Sequence, residues 1–377
     1  MARSRQTIDL AVLSCRFPRL THKPSSTLAT RARLLSSSAT VQSRHGRIPL
    51  HIPPPFPVTK SCPDPSCSCP PTPDLPAPID HDQALNGTMA AYAEQLLVCT
   101  GQRDWTSRIE DDGEGHSWGD LVRGLKGLLG RGGRFADPYH NILITNSSFA
   151  PSSQTSPASS SSQPAASAFL FPSFKYFPSI PTPPSPENTE NTDLSTFVQA
   201  HLLPTKARHG GPSRRPELAA ALPEAIDLRH SPVVLICGHG GRDMRCGVMA
   251  PVLETEFQRV LREKGFAAAD GDGDGDGDGD TAARIDRPDR AHVGLISHIG
   301  GHKYAGNVIV YIPPGMTVVG EDSASAVLHP LAGKGIWYGR IEPRHVQGVV
   351  EETILGGRVL ADHFRGGVDR ESGILRL

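Results

Sequence analysis

Residues 233–247 read VVLICGHGGRDMRCG, and this stretch decides the fold of the C-terminal part of the chain. The apolar run at 233–236 is typical of a short buried strand. The glycines that follow favour a tight loop, and Cys246 then begins a predicted amphipathic helix. A strand that leads through a glycine-rich loop into a helix is an α/β element, and it places Cys237 and Cys246 at the two ends of the loop.

A second stretch, ISHIGGHKYA at 296–305, contains two histidines four positions apart. That spacing would place both rings on one face of a helix, but Gly300 and Gly301 between them favour a loop. Zinc and iron–sulfur clusters bind thiolates and imidazoles that are held on short, rigid loops. The four candidate ligands of one metal centre are therefore Cys237, Cys246, His298 and His302.

Other residues of the two loops are candidates to support these ligands from behind. They are His239 and Arg242 in the first loop and Gly300 and Gly301 in the second. Groups that orient ligands shape the properties of a metal site, and Arg242 could also contact a partner. A position at the surface is the alternative for each polar side chain.

Composition indicates that well under 377 residues are ordered, since 37% are hydrophobic and the chain contains 35 Pro and 38 Gly. Residues 1–48 carry eight Arg and one Lys against the single acid Asp9. This Arg- and Ser-rich start is typical of a mitochondrial transit peptide, with a basic disordered arm as the alternative. The rest of the chain is acidic in balance, which argues against a nucleic-acid-binding protein. No apolar run is long enough to predict a membrane span.

Composition also divides the chain into segments. After the transit peptide, a Pro/Cys-rich linker at 49–78 precedes an N-terminal α/β domain at 79–205, which a disordered insertion interrupts at 151–167. A linker at 206–230 leads to a C-terminal domain at 231–360. Within that domain, the Asp-Gly alternation at 268–288 is predicted to be a disordered loop, because its glycines are costly to order and the calcium-binding Glu is missing.

Apolar periodicity predicts the main elements of both domains. Strands are expected at 96–100, 141–145, 168–171, 292–297, 307–312 and 335–341, and helices at 88–95, 121–129, 197–203, 246–264 and 343–355. The expected fold class is α/β with two thioredoxin-like domains. The order of strand, helix, further strands and final helix in the C-terminal domain is that of a thioredoxin-like module.

Three cysteines in the Pro-rich segment, Cys62, Cys67 and Cys69, form a separate thiol cluster. No histidine or fourth cysteine stands at a convincing spacing for a metal site, so exposed thiolates are favoured over metal ligands and the role of the cluster stays open. The family resemblance described below makes the three cysteines possible redox thiols. The seven cysteines of the chain show no disulfide framework, which favours a reducing compartment.

The motifs CGHGGRDMRCG (237–247) and HIGGHKYAGNVIVY (298–311) together resemble the fungal sucrase/ferredoxin-like family. The resemblance also takes in TGQRDW (100–105) and CPDPSCSC (62–69), and spans about 60–355. It implies a C-terminal thioredoxin-like ferredoxin domain that binds a 2Fe–2S cluster. The ligands that it implies are Cys237, Cys246, His298 and His302.

The same resemblance implies an electron-transfer protein of the mitochondrial matrix that acts in thiol redox quality control. Its implied partners are protein redox partners and the mitochondrial cluster-assembly machinery. If both imidazoles bind one iron, as in Rieske centres, the reduction potential should exceed that of an all-cysteine cluster and fall as the pH rises.

Two other functions use the same residues. A structural Cys2His2 zinc site without redox activity needs the same four ligands. A metal-free thiol oxidoreductase is the second alternative, although the chain lacks a CxxC motif. No pair of carboxylates suggests a glycosidase, so an electron-transfer protein is expected rather than a conventional enzyme.

Overall fold

The computed structural model describes residues 53–66, 68–152, 164–182, 193–207, 211–268, 285–319, 325–369 and 373–377. The predicted transit peptide, Cys67, the Asp-Gly run and most of the insertion at 151–167 lie outside the described residues.

Strands dominate the described chain, whose apolar runs are rich in Val, Ile, Leu and Phe. In chain order they are β1 (Val58–Thr59), β2 (Glu94–Cys99), β3 (Ile142–Ser147), β4 (Ala165–Phe171), β5 (Lys175–Pro181), β6 (Ile226–Asp227), β7 (Val233–Cys237), β8 (Ala267–Ala268), β9 (Arg290–Ile296), β10 (Val308–Ile312), β11 (Thr317–Val319), β12 (Ala326–Leu328), β13 (Lys334–Tyr338), β14 (Val359–Leu360), β15 (Phe364–Asp369) and β16 (Ile374–Leu375). The helices are α1 (Ser117–Leu129), α2 (Asp193–Phe197), α3 (Met244–Glu263) and α4 (Pro343–Gly348). A π-helical segment continues α2 over Val198–Leu202, and another continues α4 over Val349–Leu355.

One mixed sheet contains twelve of these strands, in the order β16-β15-β13-β10-β7-β9-β3-β2-β4-β5-β6, with β8 also paired to β9. Strands β3 and β9 come from the two predicted domains and pair through Ser147 and Ile296. The expected mixed α/β class is therefore confirmed. Two thioredoxin-like domains are not confirmed, and the division into two domains stays a prediction.

Strands β7 and β9 position the candidate site. They are parallel neighbours, with Cys237 paired to Ile296. Because parallel neighbours end at the same edge of a sheet, the loops that follow them leave side by side. Ligand sites in α/β sheets commonly lie beyond the carboxyl ends of the strands.

The two faces of β7 pack into different apolar clusters. Ile236 packs into the larger cluster, which includes the inner face of α3, whereas Leu235 and Cys237 pack into a second cluster with Tyr311 and Trp337. Burying one such apolar side chain contributes about 1.5–3 kcal/mol. The alternation therefore fixes the register of β7 and places the Cys237 thiol in an apolar environment.

The helix predicted over Thr88–Gln95 is wrong. Residues 88–93 are irregular, and Glu94 begins β2, which pairs with β3 on one side and β4 on the other. Leu96 and Leu97 point to opposite faces of the sheet and both are fully buried. Burial on both faces of a central strand overrides the helical propensity of the preceding residues.

Other element predictions are confirmed. The helix expected at 246–264 is α3, and the one expected at 343–355 is α4 with its π-helical continuation. Within the described part of the chain, none of the helices has the length and apolar character that a bilayer crossing requires.

Residues 53–66 and 68–89, named the strap below, pack against distant parts of the sequence. Strand β1 lies parallel to β14, with Val58 paired to Val359. The Ser66 amide donates to the Gln347 side chain at 3.0 Å, and Arg245 donates to the Pro78 carbonyl at 3.0 Å. The described part of the predicted linker is therefore held by specific contacts.

Candidate metal centre

The four predicted ligands lie together at the ends of β7 and β9. Cys237 is the last residue of β7 and Cys246 lies in the first turn of α3, and both are almost completely buried. The Cys237 thiol contacts the Cys246 thiol and the His298 ring through hydrogen bonds. The His298 and His302 ring centroids are 5.5 Å apart, with a 32° angle between the planes. A continuous series of contacts thus joins all four residues.

The cysteine loop is braced by the segment 100–105. The Gly241 amide donates to both carboxylate oxygens of Asp104 at 3.1 Å. A Cβ atom at Gly241 would collide with the Trp105 carbonyl, and one at Gly240 would lie 2.9 Å from Asp104. The two glycines are needed because the TGQRDW segment approaches the loop too closely for side chains.

His239 connects the cysteine loop with the histidine loop. Its side chain is buried, and its Nε2 lies 3.0 Å from the Trp105 carbonyl and 2.8 Å from the Thr106 carbonyl. Two carbonyls at Nε2 require that nitrogen to carry the proton, which leaves Nδ1 to accept the His298 amide at 2.9 Å. Arg242 is exposed and donates to the Ser107 hydroxyl at 3.1 Å. His239 therefore supports the backbone of a predicted ligand, while Arg242 lies on the surface.

Two left-handed glycines shape the histidine loop, and the prediction of a loop is confirmed. Gly300 has φ 87° and Gly301 has φ 76°, a region that side chains with a Cβ rarely adopt. His302 follows, with its Nε2 3.9 Å from the Asp243 carboxylate. Its Nδ1 atom is buried and has no hydrogen-bond partner among the described residues. This ring nitrogen is thus available as a ligand atom.

The Cys237 and Cys246 thiols share one negative charge more favourably than each of them carries one. Hydrogen bonds from Cys246 and then His298 lower the pKa of Cys237 well below its usual range, against the effect of burial. The same contact with Cys237, together with burial, raises the pKa of Cys246. Two thiolates side by side therefore require nearby positive charge, which a bound metal would supply.

A residue that the sequence did not single out lies behind the histidine loop. Arg365 on β15 is 1% exposed and forms no ion pair with a described carboxylate. Burial lowers its pKa to about 10, whereas the charges of Cys237 and Cys246 raise it. No local sequence pattern indicates that Arg365 lies beside the loop at 300–301. Sequence reasoning therefore could not identify it.

The donor set fits an iron–sulfur cluster. Two buried thiols and two imidazoles, one with an unpartnered buried nitrogen, match the ligand types of a 2Fe–2S centre. Among the described residues, no group of three Cys, His, Asp or Glu side chains is close enough to hold a metal ion. A two-iron cluster divides its ligands between two irons, so it does not need three of them to converge on one point.

Cys62 lies apart from this centre. Its thiol donates to the His345 carbonyl at 3.6 Å, and its sulfur occupies the space beside Gly348. Burial and neighbouring carboxylates raise the pKa of Cys62 to about 12. Thiol exchange requires a thiolate, so this environment favours a packing role for Cys62. A redox role for Cys69, a half-buried free cysteine, stays a prediction.

Comparisons with known proteins give one family. A family model described as sucrase/ferredoxin-like matches residues 85–366. "Altered inheritance of mitochondria protein 32" from Debaryomyces hansenii is 28% identical over 326 residues, covering 82% of this chain and 96% of that protein. The protein of that name from Meyerozyma guilliermondii is 27% identical, covering 82% and 95%. "Actin patches distal protein 1" from Saccharomyces cerevisiae is 29% identical over 141 residues, covering 37% and 35%. No solved structure matches the chain.

Proposed function

This chain belongs to the sucrase/ferredoxin-like family, and we propose that it is a mitochondrial electron-transfer protein with a 2Fe–2S cluster. The proposed ligands are Cys237, Cys246, His298 and His302. One observation carries the proposal. The cysteine loop and the histidine loop are separate in sequence, with 52 positions between Cys246 and His298, yet one series of contacts joins their four predicted ligands. Their types are those that such clusters bind.

The burial of the proposed ligands differs between the two loops. Cys237 and Cys246 are 2% and 1% exposed, whereas the His302 side chain is 44% exposed. The thiols are therefore shielded from water and oxidants, and the histidine side is accessible to a partner. We expect a protein redox partner to dock against the surface around His302.

A 2Fe–2S cluster, when bound, accepts and releases single electrons. Two features of this chain would stabilise the negative charge that such a cluster brings to the cysteine sulfurs. The His239 amide donates to the Cys237 sulfur, and the first turn of α3 directs its positive end toward Cys246. Both effects stabilise negative charge on sulfur, because amide dipoles act strongly where water is excluded.

The first test is a visible spectrum with iron, zinc and acid-labile sulfide assays on the anaerobically purified full chain. Red-brown protein with iron and sulfide in 2Fe–2S proportion is expected. Cys246→Ala should lose the colour, whereas Cys99→Ala, which removes an equally buried thiol on β2, should keep it. Colourless protein with stoichiometric zinc would establish the structural zinc site instead, and colourless protein without metal would leave a thiol function.

The second test concerns the histidine ligands. Histidine ligands raise the potential of a 2Fe–2S centre above that of an all-cysteine centre. His302→Cys should therefore keep a cluster but lower its midpoint potential in a redox titration. An unchanged potential in this variant would remove His302 from the ligand set.

The proposed location is the mitochondrial matrix, and the proposed process is redox or thiol quality control with help from the cluster-assembly machinery. The basic stretch at 1–48 and the printed names of the relatives support the location. Import into isolated mitochondria tests it: the full chain should become protected from added protease, and a chain without 1–48 should not. Equal protection of both would contradict a transit peptide at 1–48.

A further inference from the structure

A buried guanidinium without an acidic partner is the most unusual charged group in the described chain. Arg365 is 1% exposed, and its four hydrogen bonds go to neutral acceptors: the Thr88 hydroxyl and carbonyl, the Gly300 carbonyl and the Asn307 side-chain oxygen. Distances run from 2.6 to 3.1 Å. These bonds give each guanidinium nitrogen a partner, but none of the partners carries a negative charge. A buried ion without a counter-charge is strongly unfavourable.

Two aromatic rings also contact the same guanidinium. It lies 5.4 Å from the Tyr304 ring centroid and 5.7 Å from that of Trp337. Its Nη2 occupies the place where a Cβ of Gly301 would be, at 2.5 Å. The charge is thus fixed directly beneath the loop that carries His298 and His302, and it cannot swing out to find a carboxylate.

We infer that Arg365 is the permanent counter-cation of the anionic centre at Cys237 and Cys246, and that its charge raises the reduction potential of the bound cluster. The inference rests on the proposed function for its redox part. Asn307 joins the guanidinium to the cysteine strand: Arg365 Nη1 donates to the Asn307 side-chain oxygen at 2.6 Å, and the Asn307 carbonyl accepts the Cys237 amide at 2.9 Å. Negative charge on Cys237, Tyr304 or Cys246 raises the pKa of Arg365, against the effect of burial. Reduction adds one negative charge to a site that excludes water, and a fixed cation nearby favours that reduced state.

A substitution in the strap can neutralise the positive charge of Arg365 without replacing Arg365 itself. Thr88 is half-buried and supplies two of the four acceptors, its hydroxyl accepting from Nε at 3.1 Å. Thr88→Asp would place a carboxylate on the guanidinium, and Thr88→Asn would place a neutral group of nearly the same shape there. The pair of variants differs by a single charge.

The decisive experiment is a redox titration of the full-length holoprotein in these two variants. Thr88→Asp should have a lower midpoint potential than Thr88→Asn, and Thr88→Asn should stay close to the unmodified protein. Arg365→Met should lower the potential as well, and Arg365→Lys should restore part of the shift. Arg340→Met is the control, because Arg340 also stacks on Tyr304 but at the half-buried edge of the site. Equal potentials in Thr88→Asp and Thr88→Asn would overturn the redox part of the inference.

A second measurement does not depend on the cluster. In metal-free protein, Thr88→Asp should raise the urea midpoint of unfolding relative to Thr88→Asn, because it places a carboxylate in direct contact with a guanidinium whose hydrogen-bond acceptors are all neutral. The gain should disappear in an Arg365→Met background. Absence of this gain would show that an added carboxylate does not stabilise the Arg365 guanidinium, and it would refute the inference even if the protein holds a cluster. Conversely, a protein that binds no iron would end the proposed function, while the unfolding comparison would still decide the charge state of the buried site.

Discussion

Replacing Gly301 with alanine is expected to destabilise the protein much more than the same change at Gly300. Both glycines lie between the two histidines with positive φ, 87° at Gly300 and 76° at Gly301. They differ in what a new Cβ would meet. Nothing lies within 4 Å at Gly300, whereas at Gly301 the Arg365 guanidinium atoms lie at 2.5, 2.9 and 3.0 Å.

The magnitude follows from two separate costs. A left-handed conformation costs a residue with a Cβ about 1–2 kcal/mol, and both variants bear this cost. Overpacking adds about 1–3 kcal/mol at Gly301, because four hydrogen bonds and full burial prevent the guanidinium from moving aside. The expected losses are therefore about 1–2 kcal/mol for Gly300→Ala and about 2–5 kcal/mol for Gly301→Ala.

Urea unfolding of the full chain, followed by tryptophan fluorescence, measures the difference as a shift in midpoint at constant slope. The extra cost at Gly301 should shrink when Arg365 is replaced by the shorter, neutral Ala. Equal midpoints for the two glycine variants would refute the close approach of the guanidinium. An extra cost that persists in the Arg365→Ala background would assign it to another neighbour.

Three further predictions concern other contacts. Gly348→Ala should destabilise the protein by about 1–3 kcal/mol, because its Cβ would collide with the Cys62 sulfur. In a double-mutant cycle, Cys62→Ala should suppress that loss of stability. Additive effects of the two substitutions would contradict the contact. Burial lowers the pKa of His345 to about 4 from 6.5, so the unfolded chain binds the extra proton and stability should fall as the pH drops from about 6.5 to 4. His345→Gln should reduce that slope in thermal melts, and an unaltered slope would place the titration elsewhere. His239→Leu should leave two carbonyls and one amide unpaired, and each unpaired group should lower the free energy of unfolding by about 1–3 kcal/mol before relaxation. The variant should also contain less cluster. Unchanged stability and iron content would show that the His239 contacts are dispensable.

The local pattern around the cysteine loop was sufficient to predict its structure. An apolar run, closely spaced glycines and the amphipathic positions after Cys246 each indicate a strand, a loop and a helix at short range. The same holds for the histidine loop, where Gly300 and Gly301 favour a loop over a helix. The parallel pairing of β7 and β9 then brings the two predicted ligand pairs together, although whether they bind a cluster stays a proposal.

Features that depend on distant contacts could not be predicted in this way. The residues before β2 favour a helix by composition, and only pairing with β3 and β4 makes Glu94–Cys99 a strand. Arg365 has the sequence environment of a surface arginine. Its burial arises from Thr88, 277 positions away, and from Gly300, 65 positions away. The joining of both predicted domains in one sheet likewise depends on distant contacts, because the Ser147–Ile296 pair and the hydrogen bonds around it connect β3 and β9 across about 150 positions.

The contact between Thr88 and Arg365 has a consequence for the order of synthesis. During translation the thiols and imidazoles of the candidate centre leave the ribosome first, and β15 follows more than 60 residues after His302. Until then the Arg365 guanidinium is absent, and neither its bonds to Thr88 nor its bond to the Gly300 carbonyl can form. The contacts behind the histidine loop are therefore completed only after residue 365 has left the ribosome, and a chain truncated before that residue would lack them.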